Sequence, residues 1–222
     1  MTVTYLQKKF VAPALSTAPP DYDQRREDQL IYQLRLYFNL LDNFLANLAT
    51  TAGGANLAFP HIAASDTTDQ YAGGDNTPTL VAWNQGESLN GFTLAAGAAT
   101  ATYSGIYKIT YSLQLVNTAT ASEHVAYVWL KVNGANVDRS TTEFTIPKAA
   151  SVDSYICAYS EVVFTLNAGD YVELWWATDK AATSGGTKGI YIYAEPAQVS
   201  PYARPAIPSA IGSITFVSAI TT

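Results

Sequence analysis

Two hydrophobic periods divide this chain. Between Leu30 and Leu48 the apolar residues Leu30, Leu34, Tyr37, Leu41, Phe44 and Leu48 recur in alternating steps of four and three, a heptad row that predicts an amphipathic helix. A second row, Ile31, Phe38 and Leu45, lies one position along and widens the stripe. A stripe that broad suits three helices, because each must face two neighbours; the competing reading is that it packs on the chain's own head. Asp21 after the proline pair, with Gln24 three residues on, predicts the N-cap, and Gly53 and Gly54 predict the stop. Such a helix is about 40 Å long.

From Ala55 the period becomes two. In the segment Gly105–Val116, Tyr107, Ile109, Tyr111, Leu113 and Leu115 alternate with Lys108, Thr110, Ser112 and Gln114, the mark of a strand with one buried and one wet face. The strands from His124, Tyr171 and Gly189 carry apolar residues on both parities, so each needs a cover on its second face, which neighbouring subunits would supply. Asn133-Gly134 predicts a tight hairpin, and further strands are expected around Thr79–Trp83, Ala99–Tyr103 and Tyr155–Leu166. About eight to ten short strands imply a mainly β fold with a jelly-roll β-sandwich head.

The flanks lack either period. Pro13, Pro19 and Pro20 oppose regular structure near the start, so residues 1–20 read as an extended arm whose Tyr5, Lys8, Lys9, Phe10 and Val11 would dock on a partner. After Pro196 the chain is proline-rich and closes on a short strand signal, Ile214–Val217, expected to lie along the head or a neighbour. The expected organisation is therefore an arm (1–20), a trimerising helix (21–50), a head (55–196) and a C-terminal tail (197–222).

Composition narrows the function. A net charge of -6 with only 12 Lys and Arg excludes a nucleic-acid surface, and five of those basic residues lie within the first 35 positions. No stretch is apolar enough to insert in a membrane, and the opening MTVTYLQKKF lacks the apolar core of an export signal. Cys157 is the sole cysteine, so an intrachain disulfide is impossible, and it is expected as a small core residue.

Catalytic chemistry is thinly supplied. His61 and His124, the only histidines, read as structural, and with one cysteine they make no standard zinc site. Asp66, Asp69 and Asp75 have the oxygen-rich setting that calcium accepts but match no calcium-loop spacing, and a solvated loop is the plainer reading. Ser184–Gly189 precedes a strand and so is not a phosphate loop, while Asp170 reads as a turn former. Trp129, Trp175 and Trp176 are expected in core and subunit interfaces, with Trp83 open to either that role or sugar stacking. No enzyme, cofactor or metal is expected.

Three segments, Ser104–Leu115, Val128–Val137 and Val162–Trp176, together resemble the tumour-necrosis-factor and complement-globular-head superfamily of trimeric jelly rolls, a resemblance that covers roughly Phe59–Glu195. Tyr22–Leu48 is similar to the N-terminal helix of virion proteins from marine and freshwater tailed phages. These resemblances imply a homotrimer in the virion, made in the host cytoplasm: a short fibre or capsid-decorating protein whose arm meets other virion proteins of capsid, neck or tail. Internal repeats of a long fibre shaft are not found. The alternative is a receptor- or glycan-binding tail fibre or adhesin whose head meets a host-surface glycan.

Overall fold

The computed structural model describes residues 23–48 and 59–220, the side chains of Asn47 and Leu48 excepted. Two compact units result, divided between Ala58 and Phe59.

The first contains one helix, α1 (Gln24–Leu48). Its cap is Asp23, not Asp21: the Arg25 N–H donates to Asp23 Oδ1 at 3.0 Å, and the Glu27 N–H donates to the Asp23 carbonyl at 3.2 Å. Gln24 is thus the first helical residue, and a carboxylate meets the positive end of the helix dipole. The glycine stop expected at Gly53-Gly54 lies outside the described residues, as do Asp21 and the whole arm.

The second unit contains β1 (His61–Asp66), β2 (Thr79–Leu80), β3 (Gln85–Asn90), β4 (Phe92–Ala95), β5 (Ala98–Ala101), β6 (Gly105–Asn117) and β7 (His124–Val132). There follow β8 (Ala135–Asn136), β9 (Thr142–Ile146), β10 (Ser154–Leu166), β11 (Tyr171–Thr178), β12 (Ile190–Ile192) and β13 (Ala210–Ser218). The strands build two antiparallel sheets. One runs β10-β6-β13-β1-β3, with β12 continuing beyond β13 along β6; the other runs β4-β5-β11-β7 and closes on β8 and β9, with β2 beside β11. From β5 onward the chain passes from sheet to sheet at β5–β6, β6–β7, β9–β10, β10–β11 and β11–β12, so sequence neighbours face each other across the core instead of pairing. That strand order is a jelly roll.

Alternation places the core. Tyr107, Ile109, Tyr111, Leu113 and Leu115 of β6 are buried against Ala126, Val128 and Leu130 of β7 and Val172, Leu174 and Trp176 of β11. Each large side chain so buried stabilises the sandwich by about 1.5–3 kcal/mol. The Asn133-Gly134 turn forms with φ of 51° and 79°, the left-handed pair that a two-residue hairpin requires.

The head does not stop at Pro196. Residues 197–222, set apart above as a tail, carry β13, which lies between β1 and β6 with Ile214 opposite both Ile62 and Ile109. The connection into it is held by an ion pair between Arg204 and Glu195 and by the Glu195 N–H donating to the Ile207 carbonyl at 2.9 Å. Gly212 permits the Trp83 indole to lie over β13, since a Cβ there would stand 2.7 Å from the ring.

Candidate functional site

Three surfaces are candidates for function, and only the first was singled out by the sequence. On α1, Leu30, Leu34, Tyr37, Leu41 and Phe44 of the main heptad row are half-buried, whereas Ile31, Phe38 and Leu45 of the second row are exposed. Leu48 is the last helical residue. The docking residues Tyr5, Lys8, Lys9, Phe10 and Val11 lie outside the described residues.

The second surface is the outward face of the β10-β6-β13 sheet. Alternation turns Tyr155, Cys157, Tyr159 and Val163 of β10 outward, and Ile211 of β13 joins them across Ser112 of β6. Tyr159 and Val163 are each 57% exposed, a large apolar area for a long edge strand that no other described strand covers on its free side. Between Tyr159 and Ile211 the small residues Thr110, Ser112, Gly212 and Ser213 leave a hollow of about 120 Å³. Lys108 and Glu161 pair at 3.4 Å, so that charge is balanced within the face. Cys157 is here, exposed and 3.1 Å from Ser112 Oγ, rather than in the core: it shares the outward parity of Tyr155 and Tyr159.

The strands read as apolar on both faces behave differently. On β7 and β11 the second-face residues Tyr127, Trp129 and Trp175 are half-buried within the chain itself. Trp129 Nε1 donates to Asn136 Oδ1 and Trp175 Nε1 to Glu173 Oε2, both at 3.0 Å, and Lys131 Nζ stands 3.7 Å from the Trp175 ring centroid. Trp176 is core, with its indole N–H unpaired, and Trp83 packs against the core.

The third surface is a cleft of about 320 Å³ whose walls include Tyr71, Thr118, Asp153, Thr183, Lys188 and Tyr191. Tyr71 and Tyr191 stack with centroids 5.0 Å apart, and Tyr191, Tyr193 and Tyr155 continue the row by edge contacts of 6.2 and 5.4 Å. Burial, with the charge of Asp69 added, pushes the Tyr191 phenol far above its ordinary range, so it remains a hydrogen-bond donor at any physiological pH. The Ser184–Gly189 segment forms one wall as a tight turn: the Thr187 N–H donates to Thr183 Oγ1 at 2.8 Å and Gly185 has φ of 68°. Sequence reading missed this site because its members are scattered and only the tyrosine-rich GIYIYA pattern hinted at it.

The titratable candidates fall into tethers. His61 Nδ1 meets the Phe59 carbonyl and Nε2 meets Ser88 Oγ, both at 2.9 Å, so neither ring nitrogen is free. His124 lies between Ser122 Oγ (3.1 Å) and Asp179 Oδ2 (3.0 Å), a serine–histidine–aspartate string. Its burial is the reverse of a hydrolytic triad, in which the carboxylate is the buried member: the Asp179 side chain is 41% exposed and that of His124 14%. Burial pushes Asp179 up, but hydrogen bonds from His124 and the Val125 N–H outweigh it and hold the carboxyl below its ordinary range, which makes Asp179 a clamp across the ends of β7 and β11. Asp66, far from a solvated loop, is buried in β1 and accepts from the Thr68 N–H and hydroxyl. Asp69 accepts from the Ala194 N–H and Asp75 from the Ala181 N–H and Lys180, so the three carboxylates face separate partners. Among the described residues no group of three metal-ligating side chains converges.

Among the described residues, the strand order, two unequal antiparallel sheets and a single helical element define a mainly β chain with a jelly-roll head. No known protein family matches the sequence, and no curated protein does. Among solved structures the chain is similar to murine APRIL at pH 5.0, at 16% identity over 71% of this chain and 99% of that one, with a TM-score of 0.42. It is also similar to the globular domain of zebrafish complement 1qA, at 12% identity over 73% and 99% with a TM-score of 0.42. The Eiger TNF of S. frugiperda matches at 12% identity over 75% and 97% with a TM-score of 0.44.

Proposed function

We propose that this chain is a non-enzymatic, homotrimeric structural protein of a tailed-phage virion, a short fibre or capsid-decorating protein anchored by its arm, residues 1–20. The observation that carries the reading is one of pattern: a chain that ends a heptad helix and begins a jelly-roll head exposes large apolar side chains on both, Ile31, Phe38 and Leu45 on the helix and Tyr159 and Val163 on the head. Three copies that share those surfaces remove them from water. Leu30, Leu34, Tyr37, Leu41, Phe44 and Leu48 are the proposed trimer seam, and Tyr5, Lys8, Lys9, Phe10 and Val11 the proposed contacts to capsid, neck or tail proteins. The resemblance of Tyr22–Leu48 to phage virion helices supports the setting, and trimerisation then adds avidity to each weak head contact.

Two measurements test this. Sedimentation of the full chain is expected to give a trimer, and Leu34→Asp with Leu41→Asp is expected to lower its association by at least about a hundredfold, since charges in a seam cost several kcal/mol. A monomeric wild-type chain sinks the reading. Antibody against the head, imaged on intact particles, is expected to decorate the virion; label on released host membrane alone overturns the virion setting.

A further inference from the structure

We infer that the tyrosine cleft of the head is a binding site for an uncharged saccharide. Its volume of about 320 Å³ stands at the small end of the range of ligand pockets, about 300–1,000 Å³, and accommodates a short oligosaccharide segment. The chemistry of the walls selects hydroxyl-rich ligands. Tyr71 and Tyr191 both line the cleft and stack on each other, and amphipathic rings of this kind offer the C–H side of a pyranose contact area at low entropic cost. Asp153 supplies two acceptor oxygens with the spacing that adjacent sugar hydroxyls fill, and Lys188 supplies donors.

Charge weighs against an ionic ligand. Asp153 and Lys188 are both in the lining and neither has an ion-pair partner among the described residues, so the lining itself holds one charge of each sign. Asp69, the next carboxylate, lies outside the lining and accepts from the Ala194 N–H at 2.8 Å and the Tyr71 hydroxyl at 3.4 Å, and the charge it keeps weighs further against an anion. Position agrees with the chemistry. Thr118 follows the last residue of β6, while Ile106 near its first pairs with Ser218. A strand of that length spans about 40 Å, so the cleft lies at the opposite end of the sheet from Pro60, where the chain enters the head.

Saturation-transfer NMR on the full chain, with the methyl pyranosides of glucose, galactose, mannose and N-acetylglucosamine as probes, tests the inference. Transfer to at least one probe is expected, weakened about tenfold in Asp153→Asn through loss of a charge-assisted hydrogen bond. Tyr71→Ala is expected to abolish it, with the wild-type melting curve retained by each variant guarding against unfolding as the cause. No transfer to any probe, transfer untouched by Asp153→Asn, or displacement of the sugar by inorganic sulfate each overturns the saccharide site. None of these results alters the sedimentation or particle-labelling outcomes, so the two readings fail separately.

Discussion

Asn133 shows how much one side chain can hold. Left-handed at φ 51°, it opens the β7–β8 turn, and its amide donates to Asp170 Oδ1 at 2.7 Å while its Oδ1 accepts from the Tyr171 N–H at 3.1 Å. Asp170 also accepts from the Asn167 N–H, so two turns from distant parts of the sequence are locked together. The Asn133 hydrogen bond, then that of Asn167, holds the Asp170 carboxyl below its ordinary range; Asp75 is lowered by the Ala181 N–H and then Lys180. A depressed folded pKa contributes stability that is present above the unfolded value of about 3.9 and is lost as pH falls through the folded one. Thermal melts taken from neutral pH downward should therefore fall in Tm below about pH 4, and Asp170→Asn should flatten that fall. An equal slope in the variant would show that this carboxylate is not part of the linkage. Both turns were legible from Asn-Gly and Gly-Asp dipeptides, because local chemistry suffices for a turn. Their meeting was not, nor was the exposure of Cys157, since single-residue hydrophobicity does not reveal strand parity.

At the scale of elements, β6 was readable because one-sided burial gives it an apolar period of two, and β7 and β11 because they are continuous runs of β-branched and aromatic residues. β3 was not: its sequence QGESLN is polar and nearly all exposed, and only pairing to β1 makes it a strand. β13 was legible as a short strand signal but not as an inner strand, because Gly212 and Ser213 interrupt its apolar run for the sake of Trp83. Removing residues 197–222 should therefore unfold the head rather than trim it, since a missing inner strand strips two ladders and costs more than the whole stability of about 5–15 kcal/mol. Far-UV circular dichroism and protease resistance of the truncated chain check this; a protected, sheet-rich product would refute it.

For the whole molecule, the proposed self-association has two separable parts, a helix seam and a sheet face. Tyr159→Asp and Val163→Asp change only exposed positions, so the monomer fold should survive while the head loses its attraction for other copies. Sedimentation should show weaker association than wild type by about tenfold or more. Unchanged association would leave the seam as the sole assembling surface.

β1 and β13 lie side by side in opposite directions, His61 against Thr215, with the Phe216 N–H donating to the Pro60 carbonyl at 3.0 Å and the Phe59 and Phe216 rings stacked. Entry and exit of the polypeptide are thus neighbours at one pole of the sandwich. Joining those two adjacent backbone points with a short linker would close the head's chain on itself and leave every residue at the far pole where it is.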